Sequence, residues 1–135
     1  MKKNILRLIG IGIMMSIYSC FPNKDGKLYP KPSSNPFFIS SEEQSVEIKV
    51  KNLADIEPYK SQWEDKITND FGGSWYSTLI ENEWITIYYK NFDGTRDKIF
   101  VSVKENLSGM HRYYYLRLIY KPQTTLFTIT QKPKE

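Results

Sequence analysis

Cysteine and histidine are almost absent from this chain. Of its 135 residues, one is a cysteine, Cys20, and one is a histidine, His111. A single cysteine excludes an intramolecular disulfide bond. One histidine, in a turn and without a neighbouring thiol, provides neither a nucleophile with its base nor the set of ligands that zinc requires. The sequence also lacks a glycine-rich phosphate loop, so we predict no catalytic residue, no metal site and no cofactor.

The chain has no apolar run of bilayer length and little excess charge. The apolar run at residues 8–18 has about 11 residues, against roughly 20 needed to cross a bilayer, so a permanent transmembrane helix is not expected. Three of the 19 Lys and Arg residues, but none of the 15 Asp and Glu residues, lie within residues 1–19. The rest of the chain carries 16 basic and 15 acidic residues, a net charge of +1. Because nucleic-acid binding requires many basic groups, nucleic acid is not an expected partner.

The first twenty residues have the pattern of a lipoprotein signal peptide. Lys2, Lys3 and Arg7 form a basic start, an apolar run follows, and residues 17–20 (Ile-Tyr-Ser-Cys) form a degenerate lipobox. A signal peptidase would cut before Cys20, and the thiolate of this residue can form a thioether to a diacylglycerol. Several acyl chains anchor a protein stably, at about 0.8 kcal/mol per buried methylene. We therefore predict removal of residues 1–19 and lipidation of Cys20 in the bacterial outer membrane.

An alternative follows from Tyr18, which is bulkier than a lipobox prefers. If cleavage fails, residues 1–19 form an uncleaved N-terminal anchor and Cys20 keeps a plain thiol. The composition after Cys20 does not distinguish the periplasmic face of the membrane from the cell surface.

Residues 20–36 have the composition of a tether. They contain four prolines and a glycine, and they show neither the strand period nor the helix period. Proline-rich segments stay extended at about 3.1 Å per residue, so this segment could reach about 50 Å. We predict that it holds a single folded domain, residues 37–135, away from the lipid.

From Phe37 onward the sequence has the pattern of β-strands. Residues 46–51 alternate apolar with polar side chains, which is typical of a half-buried strand. Further strand-like runs are residues 75–80, 84–89, 99–103, 113–120 and 125–130. With turn residues between them, they predict an all-β, immunoglobulin-like β-sandwich of about seven strands. Residues 53–73 interrupt the pattern with Pro58 and many polar residues, and we interpret them as an inserted loop or short helix.

The second half of the chain has a characteristic order of residues. Trp75 and Trp84 come first, and Asn106, a Ser-Gly turn, Arg112 and Gln131 follow. This order resembles the BACON family of Bacteroidetes-associated domains. In that family a late strand ends in asparagine, a small turn follows, an arginine opens the next strand and a glutamine ends the last one.

The resemblance implies an immunoglobulin-like sandwich over about residues 37–131 and a role in binding carbohydrate or mucin. The sequence departs from the family pattern at two places. Residues 53–70 are longer than the usual link into the first tryptophan strand. Tyr114 and Tyr120 occupy positions where smaller or aliphatic residues are expected.

The strand of residues 112–120 supplies the candidate ligand-binding residues. The family pattern places Tyr114 and Leu116 inward, which turns Tyr113, Tyr115 and Arg117 outward, because a strand alternates its side chains between two faces. Sugar rings stack on aromatic planes, and their hydroxyls bond to charged groups. These three outward residues could therefore form a shallow glycan platform. The alternative is structural, since exposed tyrosines also stabilise sheets through cross-strand pairs.

The three tryptophans have different expected roles. Trp75 and Trp84 match family tryptophans that look structural, and we expect them in the core. Trp63 lies in the polar insertion, between Gln62 and Glu64. It either plugs one end of the sandwich or stands exposed as a further ligand-binding residue.

Asn106, Arg112 and Gln131 are expected to be structural, because asparagine can bond to turn backbone groups and arginine can bridge to a loop. Asp93-Gly94, with Asp97, predicts a hairpin turn. A calcium loop would show a regular alternation of oxygen ligands, which is missing here.

Two functions fit these observations. In the first, the chain is a non-catalytic, lipid-anchored module of the cell envelope that captures glycan or mucin through exposed aromatic side chains. In the alternative, it is a structural or accessory lipoprotein that acts as a spacer or docks a protein by sheet-edge pairing. The predicted partners are the membrane, through the lipid, and either a carbohydrate or mucin or an envelope protein.

Overall fold

The computed structural model describes residues 26–92 and 94–135. These residues form ten β-strands and no helix, so no described helix is long and apolar enough to span a membrane. The strands are β1 (Lys31–Pro32), β2 (Phe37–Ile39), β3 (Gln44–Lys51), β4 (Asp55–Pro58), β5 (Lys66–Phe71), β6 (Tyr76–Glu81), β7 (Ile85–Lys90), β8 (Lys98–Val103), β9 (Arg112–Tyr120) and β10 (Gln123–Gln131). The predicted signal peptide, Cys20 and Asp93 lie outside the described residues.

The ten strands pair into two sheets that pack as a sandwich. The large sheet has six strands in the order β1-β3-β8-β7-β6-β5, and the small sheet has four in the order β2-β10-β9-β4. β2 runs parallel to β10, whereas the other neighbouring strands are antiparallel. The predicted all-β sandwich is confirmed, with ten strands in place of about seven.

Alternation along the strands builds the core between the sheets. In β3, Ile48 and Val50 are buried, whereas Glu47 and Lys49 face solvent. Burial of one isoleucine, leucine or valine side chain contributes about 1.5–3 kcal/mol. The buried apolar side chains are Ile39, Ile48, Val50, Leu53, Ile56, Ile80, Trp84, Ile85, Ile87, Tyr89, Ile99, Val101, Val103, Tyr114, Leu116, Leu118, Phe127 and Ile129.

The prediction of an inserted loop or short helix at residues 53–73 is wrong. The region contributes β4 and β5, the edge strands of the small and large sheets. Every residue of β5 is exposed, so the strand shows no alternation of buried and exposed positions. β4 has four residues and ends at Pro58, which has no N–H to donate to a neighbouring strand. An edge strand that buries so little leaves no two-residue repeat in the sequence.

The last part of the predicted tether is packed against the domain. Lys31 and Pro32 form β1, which pairs with the end of β3. Pro30 is buried, and its carbonyl accepts a hydrogen bond from the Thr125 hydroxyl at 2.8 Å. Asn35 donates to the Leu126 carbonyl and accepts from the backbone N–H of the residue two positions further along β10. The folded unit therefore begins before Phe37.

The two tryptophans expected in the core differ in their positions. Trp84 is buried, as predicted, and the Arg112 guanidinium lies 5.6 Å from its ring centre. Trp75 lies outside the core, so that prediction is wrong. Its ring packs on Phe92 with centres 4.5 Å apart, and it covers Gly72, where a Cβ atom would come within 2.0 Å of the indole. Trp75 therefore packs over the turn between β5 and β6 and does not contribute to the core between the sheets.

Two buried amides close one end of the sandwich. Asn106 is fully buried and donates to the carbonyls of Met110 and Lys132, at 2.9 and 3.1 Å. Its side-chain oxygen accepts bonds from the backbone N–H and hydroxyl of Ser108. Gln131, also fully buried, donates to the Lys104 carbonyl at 2.9 Å. The predicted structural roles of Asn106 and Gln131 are confirmed.

Substitution Asn106→Ala should lower the free energy of unfolding by about 3 kcal/mol, because it leaves several buried backbone groups without partners. Urea denaturation at neutral pH measures the loss. The neighbouring Leu107→Ala substitution is the control, since this side chain is 70% exposed and its removal should change stability by less than about 0.5 kcal/mol. Equal stabilities of the two variants would contradict a closing role for Asn106.

Candidate functional site

Tyr113 and Tyr115 stand on the outer surface of the small sheet. Tyr114, which lies between them, and Leu116, which follows Tyr115, are buried in the core, so Tyr113 and Tyr115 point outward. The predicted alternation of β9 is confirmed. The two outward side chains are 42% and 41% exposed. Their rings are nearly parallel, with a 7° angle between planes and 6.5 Å between centres. The His111 ring continues the row, 6.2 Å from the Tyr113 ring.

Two apolar side chains widen this surface on the side of β10 and β2. Phe38 is 62% exposed and Leu126 is 52% exposed. The register places Phe38 opposite Thr130, which in turn lies opposite Tyr113, and it places Leu126 opposite Arg117. We name this surface, formed by Phe38, Tyr113, Tyr115, Arg117 and Leu126, the aromatic face.

Arg117 forms the polar border of the aromatic face. Its Nε lies 3.3 Å from Glu57 Oε2, in an ion pair that leaves Nε without a hydrogen-bond partner. Its guanidinium also lies 5.0 Å from the centre of the Tyr59 ring. Such a half-exposed ion pair contributes little to stability, about 0–1 kcal/mol. The arrangement nevertheless orients the guanidinium beside the tyrosines, where it can donate to a ligand hydroxyl.

Trp63 lies behind the aromatic face and does not form part of it. Its indole packs edge-on against Trp84, with ring centres 5.7 Å apart and planes at 66°. Its indole N–H donates to the Tyr113 carbonyl at 3.2 Å. Of the two predicted alternatives, these contacts favour the plug at the end of the sandwich. Trp63 also borders a cavity of about 380 Å³ that includes Glu64 and Glu83.

A partly buried hydrogen-bonded group joins Tyr114 of β9 to Asp65 and Asn82. The Tyr114 hydroxyl donates to Asp65 Oδ2 at 2.9 Å, and the Asn82 amide donates to Asp65 Oδ1 at 2.9 Å. Asn82 in turn accepts bonds from the backbone N–H groups of Trp84 and Ile85, both at 3.0 Å. Burial, together with the bond to Asp65, raises the pKa of the Tyr114 hydroxyl. The group is structural, because the side chains in it form hydrogen bonds with other protein atoms.

A second concave surface lies at the corner where β4 begins and β9 ends. We name it the lateral groove; it has a volume of about 530 Å³, and Asp55, Asn69, Phe71, Tyr76 and Tyr120 are among its lining residues. The sequence did not predict this groove, because it depends on β4 and β5, which were not predicted as strands. The exposed Ile67 and Phe71, separated by polar residues, were the only local signal.

His111 and Asp97, two further residues considered in the sequence, both lie at the surface. No group of three or more His, Cys, Asp or Glu side chains within residues 26–92 and 94–135 is placed to hold a metal ion. His111 is exposed and stacks on Tyr113. Asp97 is exposed in the connection between β7 and β8, whose antiparallel pairing fits the predicted hairpin.

A solved structure is similar to this chain, whereas the comparisons of sequence found no match. No protein-family model matches the chain, and no curated protein matches it. An NMR structure of a protein from Bacteroides thetaiotaomicron is similar at 13% sequence identity, with a TM-score of 0.45. The similarity covers 81% of this chain and 91% of that chain. No function follows from it.

Stability should fall at alkaline pH, because Tyr114 ionises less readily in the folded chain than in the unfolded chain. Because its pKa is raised in the folded state, the tyrosine loses its proton first in the unfolded state, near pH 10. The contribution of Tyr114 to the free energy of unfolding is therefore complete below pH 10 and is lost as the pH rises above it. We expect Tyr114→Phe to reduce the fall in unfolding free energy between about pH 9 and pH 11, measured by urea denaturation. Asp65→Asn, which keeps the tyrosine, should reduce it less. Identical pH slopes for Tyr114→Phe and the unaltered protein would contradict this role.

Proposed function

We propose that this chain is a lipid-anchored binding module of the bacterial cell envelope, without catalytic activity, that captures glycan or mucin carbohydrate on the aromatic face. The observation that carries the proposal is the pair of parallel, exposed tyrosine rings on β9. Sugar rings present C–H groups that pack on such rings, and pairs of this kind are worth about 0.5–1.5 kcal/mol beyond the buried area. Arg117 at the border supplies donors for hydroxyl groups.

The position of the face on a sheet supports this function. The backbone that carries Tyr113 and Tyr115 is held by the buried side chains of β9 and by the Trp63 bond to the Tyr113 carbonyl. A surface held in this way loses little conformational entropy when a ligand binds. A shallow face with a few stacking contacts is suited to weak capture of repeated sugar units, for which many anchored copies provide avidity. The resemblance to BACON domains points to the same ligand class.

A second candidate function rests on a different observation. β5 pairs with β6 along one edge, and along its other edge no described strand is present. Its six residues are all exposed. An open edge of this length can accept a strand from another protein. In that case the lipoprotein would serve as a spacer or docking partner of an envelope protein.

Substitution of both Tyr113 and Tyr115 by alanine should weaken carbohydrate binding about tenfold or more, because two stacking contacts are lost. Residues 21–135, which contain every strand of the fold, would be titrated with mucin glycans and plant polysaccharides, with tryptophan fluorescence as the signal. Tyr29→Ala is the matched control, since Tyr29 is also 41% exposed and is not one of the residues of the aromatic face.

Three results would separate the candidate functions. A saturable signal that the double variant loses, with its unfolding free energy preserved, supports capture on the aromatic face. Binding that survives in the double variant places the carbohydrate elsewhere. No binding of any glycan by folded protein contradicts the first proposal and favours docking through the edge of β5.

The lipid anchor is tested with Cys20→Ser, because a serine oxygen does not form the thioether. We expect the variant to lose incorporation of labelled palmitate and to leave the membrane fraction of the expressing bacterium. An unlabelled protein that stays in the membrane fraction both before and after the substitution would instead support an uncleaved N-terminal anchor.

A further inference from the structure

The lateral groove exists because the two sheets differ in width. The large sheet continues to β5, whereas the small sheet stops at β4. The register of β5 with β6 places Ile67 opposite the buried Ile80 and Phe71 opposite Tyr76. Ile67 and Phe71 thus lie on the inner surface of the large sheet, yet they are 48% and 75% exposed. The groove is therefore a strip of inner sheet surface that no described strand covers.

Aromatic rings form the walls of the lateral groove. The centre of the Phe71 ring lies 6.0 Å from that of Tyr76, and the planes are tilted by 32°. Tyr76 packs edge-on against the buried Tyr89 at 6.4 Å, which fixes its position. Tyr120, at the end of β9, borders the groove and is exposed. A flat apolar ligand surface could contact Phe71 and Tyr120 without any rearrangement of the core.

The polar groups of the groove are only partly used by the protein. Asp55 Oδ1 accepts bonds from the backbone N–H of Ile56 and from the Thr78 hydroxyl, both at 2.8 Å. Asp55 Oδ2 accepts no hydrogen bond from any described residue. Asn69 Oδ1 lies 3.0 Å from the Thr78 hydroxyl, while its amide nitrogen donates to no described group. The Tyr76 hydroxyl is also without a described partner, and burial, together with Asp55, raises its pKa to about 12.

The combination of these groups limits the class of ligand. The groove offers an acceptor in Asp55 and donors in Asn69 and Tyr76. A phosphate or sulfate group only accepts hydrogen bonds and would be repelled by the carboxylate, and an ammonium group only donates. A hydroxyl group donates and accepts at once. Together with the aromatic walls, this selects a ring that has hydroxyls on its edge and C–H groups on its face.

We propose that the lateral groove is a second ligand-binding site, separate from the aromatic face, and that it takes the pyranose units of a neutral oligosaccharide. The Asp55 carboxylate and the Asn69 amide bind neighbouring hydroxyls, and Phe71 packs on the sugar ring. A further cavity of about 380 Å³, bordered by Asn91 and Arg96, shares Ala54 and Tyr120 with the groove. The site therefore extends beyond one sugar unit and fits a chain.

The test is an NMR titration of ¹⁵N-labelled residues 21–135 with maltohexaose, cellohexaose, xylohexaose and N-acetyllactosamine. We expect one or more of these probes to shift the amide signals of Asp55, Asn69, Phe71 and Tyr120. Asp55→Asn should weaken that binding about tenfold or more, the loss expected for one bond to a charged group. Phe71→Ala should weaken it similarly while preserving the fold, because the ring is mostly exposed.

Reciprocal controls distinguish this site from the aromatic face. Phe38→Ala removes another exposed phenyl ring and should not change binding in the groove. The Tyr113 and Tyr115 double alanine variant should likewise retain shifts in the groove. Shifts limited to the aromatic face would support the proposed function and overturn the groove site. Absence of groove shifts with all four sugars, or groove shifts produced only by an amine such as cadaverine, would also overturn it.

Discussion

The two-residue repeat of β9 is the constraint on which both the core and the aromatic face depend. Tyr114, Leu116 and Leu118 are buried between the sheets, so the alternation turns the intervening side chains to the outside. A shift of the register by one residue would expose the core residues and bury Arg117. The packing of the core therefore fixes the outward positions of Tyr113 and Tyr115. A change in the register of β9 would alter both the core and the aromatic face.

Strands β3 and β6 to β10 were predicted from the sequence, whereas the edge strands β4 and β5 were not. The alternation of β3 and β8 and the apolar runs of β6, β7, β9 and β10 were enough to predict a sandwich. β4 and β5 were missed because the propensity of a segment to pair at an edge depends on a neighbour that is distant in sequence. Trp75 was misplaced for a related reason, since its partners Phe92 and Gly72 are set by a turn and not by a repeat.

The candidate site was predicted in part. The outward positions of Tyr113, Tyr115 and Arg117 followed from the alternation of one strand. Phe38 and Leu126 were not predicted beside them, because the parallel pairing of β2 with β10 has no local signature. The lateral groove was out of reach of sequence analysis for a stronger reason. It is a difference in width between two sheets, and that difference exists only after all ten strands are paired.

Packing of Pro30 and Asn35 against β10 and its neighbours also limits how far the domain can stand from a membrane. With the proposed lipid on Cys20, only about ten residues separate the anchor from Pro30, which gives a maximum span of about 35 Å for extended chain. A domain of about 100 residues has a radius of gyration near 13 Å. The maximum length of this linker is therefore little greater than the diameter of the domain. The lipoprotein would work close to the bilayer, and long polymers anchored in or lying along the envelope would reach it more readily than ligands held far above it.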